Sequence, residues 1–168
     1  MASRPTSGTS SRSSTSRDSG AGDARAHTAV HVVKGAVARV LGPRKFTYGE
    51  EVDGRSGVLR AEGKVRPTPQ EVARIEVTAN EKVAEDAEVL EFEMEREEAE
   101  GHFGKGIYDL GSAPKEGELL RVVRIDDWEV SCCGKSHVGS TGSVGAVRID
   151  KVALDEDEKE LEIGFHLL

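Results

Sequence analysis

The chain has 168 residues and a mass of 18.0 kDa, and 23 Lys and Arg against 31 Asp and Glu leave a net charge of −8. That length suits one domain with its own core, and the acidic balance argues against a protein held to DNA or to an anionic membrane by bulk positive charge. No apolar run approaches the roughly 18 residues of a membrane span. The two adjacent cysteines, Cys132 and Cys133, cannot staple a secreted scaffold, so a reduced, cytoplasmic setting is expected.

Residues 1–26 carry no periodic apolar pattern, and eight of the first twenty are Ser. Such a segment buries too little apolar surface to offset its ordering entropy, so a disordered Ser/Thr/Arg-rich tail is expected. It lacks the amphipathic face of an organellar transit peptide. Its Arg4, Arg12, Arg17 and Arg25 against Asp18 and Asp23 give it a charge of +2, which leaves −10 on residues 27–168. From His27 to Leu41, the residues Val30, Val33, Val37, Val40 and Leu41 recur at helical steps, and Gly42-Pro43 ends the pattern. Residues 46–60 read as a hairpin turning near Asp53-Gly54. Thr68-Pro69-Gln70-Glu71 opens a second helix with a capping box and Pro at its first position, and Val72, Ile75, Ala79 and Val83 form its inner stripe. A strand at 89–94, a short helix at 96–103 and strands at 119–126, 146–154 and 161–168 follow. The expected fold class is α+β, a single domain over 27–168 with helices packed on a mostly antiparallel β-sheet.

Two pairs of potential metal ligands stand out. His27 and His31 lie four residues apart on the first helix, so both rings share one face. The zinc-protease pattern needs Glu directly after the first His; Thr28 stands there instead, which excludes that chemistry. Cys133 and His137 form a second pair at the head of a Gly- and Ser-rich loop, where backbone and side chains approach a ligand closely. Each pair alone reads equally well as ordinary polar and buried residues. Together they supply three imidazoles and a thiolate, a set suited to tetrahedral zinc.

The run His27-Thr28-Ala29-Val30-His31 into Val32-Val33-Lys34-Gly35-Ala36 is followed about a hundred residues later by Cys133-x-x-x-His137 and Thr141-Gly142-Ser143-Val144-Gly145. With these, the chain resembles the editing domain of alanyl-tRNA synthetase, and above all its free-standing relatives, the AlaX proteins. Ala79-Asn80-Glu81-Lys82-Val83, Arg96-Glu97-Glu98-Ala99, Tyr108-Asp109-Leu110, Ile125-Asp126-Asp127-Trp128 and Leu161-Glu162-Ile163-Gly164-Phe165 extend the resemblance over residues 26–168. The length points to the short form of that family.

The resemblance implies an ATP-independent trans-editing hydrolase that deacylates mischarged Ser-tRNA(Ala), and Gly-tRNA(Ala) as a second substrate. A small apolar pocket cannot strongly reject an isostere with one extra hydroxyl, so a second site clears the error. By residue-by-residue transfer, His27, His31, Cys133 and His137 would hold Zn2+, and Thr28 would sense the serine hydroxyl. Asp126 or Asp127 is a candidate to hydrogen-bond a ligand histidine. The alternative is a non-catalytic zinc module that binds tRNA or a synthetase; monomer and dimer both stay open. Three positions depart from the family pattern: Ser143 replaces a Glu, Lys135-Ser136 a Gly-Thr, and Gly63-Lys64 a Phe-Asp. Cys132 reads as a packing residue, with competition with Cys133 for the metal as the alternative. The acidic surface, poor in Lys and with 4% aromatic residues, fits a halophilic, haloarchaeal source. A local patch of Arg39, Arg44, Lys45 and Lys135 would then meet the tRNA phosphates.

Overall fold

The computed structural model describes residues 11–110, 117 and 119–168, with the side chains of 11–22 and 48–50 excepted. In chain order the elements are α1 (Ser11–Leu41), β1 (Phe46–Asp53), β2 (Ser56–Glu62), α2 (Pro69–Ala84), β3 (Val89–Glu95) and α3 (Arg96–Phe103). Then come β4 (Leu119–Ile125), β5 (Glu129–Cys132), β6 (Val147–Asp155) and β7 (Glu160–Leu167), with 3₁₀ turns at Lys105–Ile107 and Thr141–Val144. The fold class is α+β, as expected. The strands form two sheets where one was expected, ordered β1-β2-β7-β6 and β3-β4-β5, and every ladder between named strands is antiparallel. No helix among the described residues is long and apolar enough to cross a membrane.

Helix α1 departs furthest from expectation. The helix expected from His27 begins at Ser11, inside the segment read as a tail; residues 1–10 lie outside the described residues. Just ahead of the expected start, Ala26 is fully buried and the Arg25 guanidinium donates to the Val144 carbonyl at 2.8 Å. Ala21, Ala24 and Ala26 are strong helix formers, which offsets the poor propensity of the Ser and Gly before them. The apolar stripe was also read too narrowly. From Ala26 to Val37 every residue but His27 is buried, the polar Thr28, His31 and Lys34 among them. A helix buried on all sides is a central element, and α1 packs against α2, β1, β2 and β5.

The start of α2 follows its sequence signals closely. The Thr68 hydroxyl accepts from the Glu71 N–H and the Glu71 carboxylate from the Thr68 N–H, both at 3.1 Å. Farther along, Asn80 pairs both its amide atoms with the backbone of Val147 at 2.8 Å, and Glu76 accepts from Ile149 N–H at 2.9 Å. These side chains occupy backbone groups that edge strand β6 would otherwise leave open. At the β1–β2 turn Gly54 has φ +58, the left-handed conformation for which glycine is best suited.

In the three-stranded sheet, alternation assigns each residue to a face. Register aligns Glu91, Val123 and Ser131 in one row and Val89, Ile125 and Glu129 in the next. This face turns toward α1. The opposite face carries Phe92, Met94, Leu120, Val122, Val130 and Cys132 into a separate small core with Ala99 of α3 and Ile107.

Candidate metal centre

His31 comes from α1, where it is 1% exposed; Cys133 follows directly on β5, and His137 lies four residues on. One ligand atom from each falls in a group whose members all lie within 4.8 Å of one another. The two Nε2 atoms are 3.0 Å apart, and Cys133 Sγ is 3.6 Å from His137 Nε2. His27, the fourth expected ligand, does not belong to that group.

Backbone bonds hold the loop in place despite its glycines. The Cys133 N–H continues the sheet to the Arg121 carbonyl at 2.9 Å, and the Val138 N–H donates to Thr28 Oγ1 at 3.0 Å. Val89 N–H reaches the Gly139 carbonyl at 3.0 Å, and Thr141 N–H the Ala87 carbonyl at 2.8 Å. Thr28 is fully buried and donates its own proton to the Ala24 carbonyl at 2.8 Å. It therefore ties α1 to the residue beside His137.

Each histidine is held from behind by a carboxylate. His31 Nδ1 donates to Glu129 Oε2 at 2.8 Å, and Ser131 Oγ lies 3.0 Å from the same nitrogen while donating to Glu129 at 3.3 Å. His137 Nδ1 donates to Glu91 Oε1 at 2.6 Å. The two carboxylates thus turn both rings so that their Nε2 atoms lie toward each other and toward the thiol. Asp126 and Asp127, the expected partners of a ligand histidine, are turned elsewhere. The Asp126 carboxylate pairs with Arg124 at 2.8 Å, while Asp127, at φ 53 in the β4–β5 turn, offers its carbonyl to Arg39.

Electrostatics favours the ligand form of the thiol. Burial pushes Cys133 up, but hydrogen bonds with His137 and His31 and the charge of His31 bring it to about 6. Burial likewise pulls His31 down; the Glu129 carboxylate and the Cys133 hydrogen bond more than reverse this, to about 9. Burial would raise Glu129, yet the His31 charge holds it below the usual carboxylate range, with Lys34 contributing. At neutral pH the cluster is thus a thiolate beside a charged imidazole, and a metal bound there would displace the imidazole proton. The donors fit zinc: two imidazole nitrogens and one thiolate converge, with their outer atoms already held.

Sequence reasoning identified the ligand pairs but not Glu91, Glu129 or Ser131. For Glu129 and Ser131 the signal was the two-residue alternation Glu129-x-Ser131-x-Cys133, which sets these two and the thiol on one strand face. The same alternation turns Cys132 to the opposite face, where it packs in the small core, so it does not compete for the metal. Also missed was Lys34, one turn beyond His31 and 2% exposed, whose ammonium meets Asp109 at 2.9 and 3.2 Å.

Comparison with known proteins agrees with this geometry. Residues 120–163, which hold β4, β5, Cys133 and His137, match the family model described as the threonyl and alanyl tRNA synthetase second additional domain. The chain is 37% identical over 136 residues to the alanine–tRNA ligase of Pyrococcus abyssi, and 35% identical over 136 residues to that of Methanococcus maripaludis. It is 38% identical over 130 residues to that of Pyrobaculum arsenaticum. The chain carries an AlaX-like domain. The first two matches take in 81% of this chain but only 15% of each ligase, and the third 75% and 14%. A tRNA-related editing or binding role follows for the AlaX-like domain, and its cluster of His31, Cys133 and His137 has the composition of a metal site.

Proposed function

We propose that the protein is a zinc-dependent aminoacyl-tRNA deacylase that hydrolyses the ester of mischarged Ser-tRNA(Ala), and of Gly-tRNA(Ala), in the cytoplasm. The observation that carries this reading is the convergence of His31 Nε2, Cys133 Sγ and His137 Nε2 in a domain matched to the synthetase editing family. His27, one helical turn before His31, is proposed as the fourth ligand. Bound there, zinc would act as a Lewis acid toward the ester carbonyl or lower the pKa of water.

The chain's own residues supply order and selectivity. Glu129 and Glu91 keep the imidazole protons on Nδ1 and the rings in register. The Thr28 hydroxyl gives its proton to Ala24 and one lone pair to Val138 N–H, so one lone pair remains to accept a proton from serine. An alanyl ester offers no such donor and leaves that buried acceptor unpaired, which is the basis of the selectivity.

The second reading, a non-catalytic zinc module that binds tRNA or a synthetase, is favoured by the full burial of Thr28. Release of serine from Ser-tRNA(Ala), with Ala-tRNA(Ala) as control, separates the two. Serine loss in the wild type, and its abolition together with bound zinc in folded His31→Ala, is the expected result. A zinc-loaded, folded wild type that releases no serine would overturn the deacylase reading.

A further inference from the structure

The two carboxylates behind the histidines both come from the three-stranded sheet, and they reach the cluster from opposite edges. Glu91 sits on β3 and Glu129 on β5, with β4 between them. Register alone places Glu91 in the row of Val123 and Ser131, and Glu129 one row along. Position 129 is a costly place for a carboxylate: its side chain is only 13% exposed, and a buried charge persists only when hydrogen-bonded or paired. Glu129 is satisfied by His31 Nδ1 at 2.8 Å and Ser131 Oγ at 3.3 Å. Glu91 is 29% exposed and shares its carboxylate between His137 Nδ1 at 2.6 Å and Arg121 at 3.5 Å. The His137 side chain it holds is fully buried.

We infer that Glu129 and Glu91 are the positioning residues that set this chain's affinity for its metal, Glu129 the stronger because it is more buried and itself anchored by Ser131. Each fixes a ligand ring in the tautomer that leaves Nε2 bare, and each raises that nitrogen's basicity through the Nδ1–H bond. The β3-β4-β5 sheet is thus the outer frame of the site, standing behind the histidines that α1 and the loop after β5 supply.

The inference rests on the zinc reading above, and its test separates the two. Zinc dissociation constants are measured by chelator competition on the full chain, for wild type and for Glu129→Ala, Glu129→Gln, Glu91→Ala and Glu93→Ala, with circular dichroism to verify folding. Glu93 lies on the same strand two residues on, is exposed, and serves as control. Loss of a carboxylate that orients a ligand weakens metal binding about 10–100-fold. Glu129→Ala is expected in the upper part of that range, Glu91→Ala near its lower end, Glu129→Gln between wild type and Glu129→Ala because its carbonyl still accepts from Nδ1, and Glu93→Ala at the wild-type value. Cobalt(II) absorption gives a second readout: its bands shift in Glu129→Ala and stay fixed in Glu93→Ala. Folded Glu129→Ala and Glu91→Ala proteins that bind zinc within twofold of wild type would overturn the inference and leave the zinc reading standing. A wild type that binds no zinc overturns both.

Discussion

Replacing Gly35 by Ala should destabilise the protein, although Ala is the better helix residue. Gly35 lies on α1 one turn beyond His31, and Trp128 lies against its bare Cα. A Cβ there would stand 2.7 Å from Trp128 Cδ1 and closer still to Nε1 and Cε2, all rigid ring atoms. The indole cannot yield cheaply: Nε1–H donates to the Val32 carbonyl at 3.2 Å, and the Arg39 guanidinium stacks 4.0 Å from the ring centroid. Forcing the ring away costs about 1–3 kcal/mol of overpacking, about 1 kcal/mol for the hydrogen bond and about 0.5–1 kcal/mol for the cation–π contact. Against this stands a gain of about 1 kcal/mol in helix propensity. The net is a loss of about 1.5–4 kcal/mol, which lowers Tm by about 3–16 °C for a chain of this size. Trp128 is the sole tryptophan, so its fluorescence reports the displacement directly during urea or thermal unfolding. In a Trp128→Ala background the sign should reverse, with Gly35→Ala stabilising by up to about 1 kcal/mol. A Gly35→Ala protein as stable as wild type, with unchanged emission, would refute the packing argument.

Thr141→Val removes a fully buried hydroxyl that donates to the Lys82 carbonyl at 2.7 Å and accepts from the Ala87 N–H at 2.8 Å. Losing both should cost about 2–3 kcal/mol in urea unfolding, and a change under 1 kcal/mol would contradict it. Asp109→Ala leaves the Lys34 ammonium buried without this carboxylate; with Asp109 itself 16% exposed, the loss should be about 3 kcal/mol. The paired replacement Lys34→Met with Asp109→Leu should recover most of that loss, and equal instability of single and double variants would refute the ion-pair account.

How much of this was legible in the sequence depended on whether the signal was local. The start of α2 was, because Thr68, Pro69 and Glu71 act within one turn. His31, Cys133 and His137 were named from their four-residue spacings and do come together, whereas His27, named on the same ground, stands outside that group. The inner stripe of α1 was read as Val30, Val33, Val37, Val40 and Leu41 alone because Lys34 and His31 are polar; inside the fold Asp109 and Glu129 pair with them, so both are buried. Strand β5 escaped notice because its four residues hold one large apolar side chain, Val130, and its polar residues point inward to the site. Glu91 could not be assigned at all from sequence: its relation to His137 is created by the β3–β4–β5 register across 46 residues of chain.

The charge distribution around the site follows from the same construction. The carboxylates behind the two histidines, Glu91 and Glu129, belong to the acidic excess that leaves the chain at −8. The expected basic patch offers little against this. Arg39 directs its guanidinium to the carbonyls of Asp127, Trp128 and Gly35, and Arg44 to those of Leu41, Gly42 and Glu62. Both arginines therefore brace the ends and turns of the fold, while Lys45 and Lys135 remain exposed on loops. With a Debye length of about 8 Å at physiological ionic strength, the net acidic field is screened beyond the first contacts. For a tRNA-like substrate, binding energy must then come from short-range contacts at the acylated end rather than from long-range steering. On the proposed deacylase reading, specificity would then arise at the site itself, from Thr28 and the group of His31, Cys133 and His137.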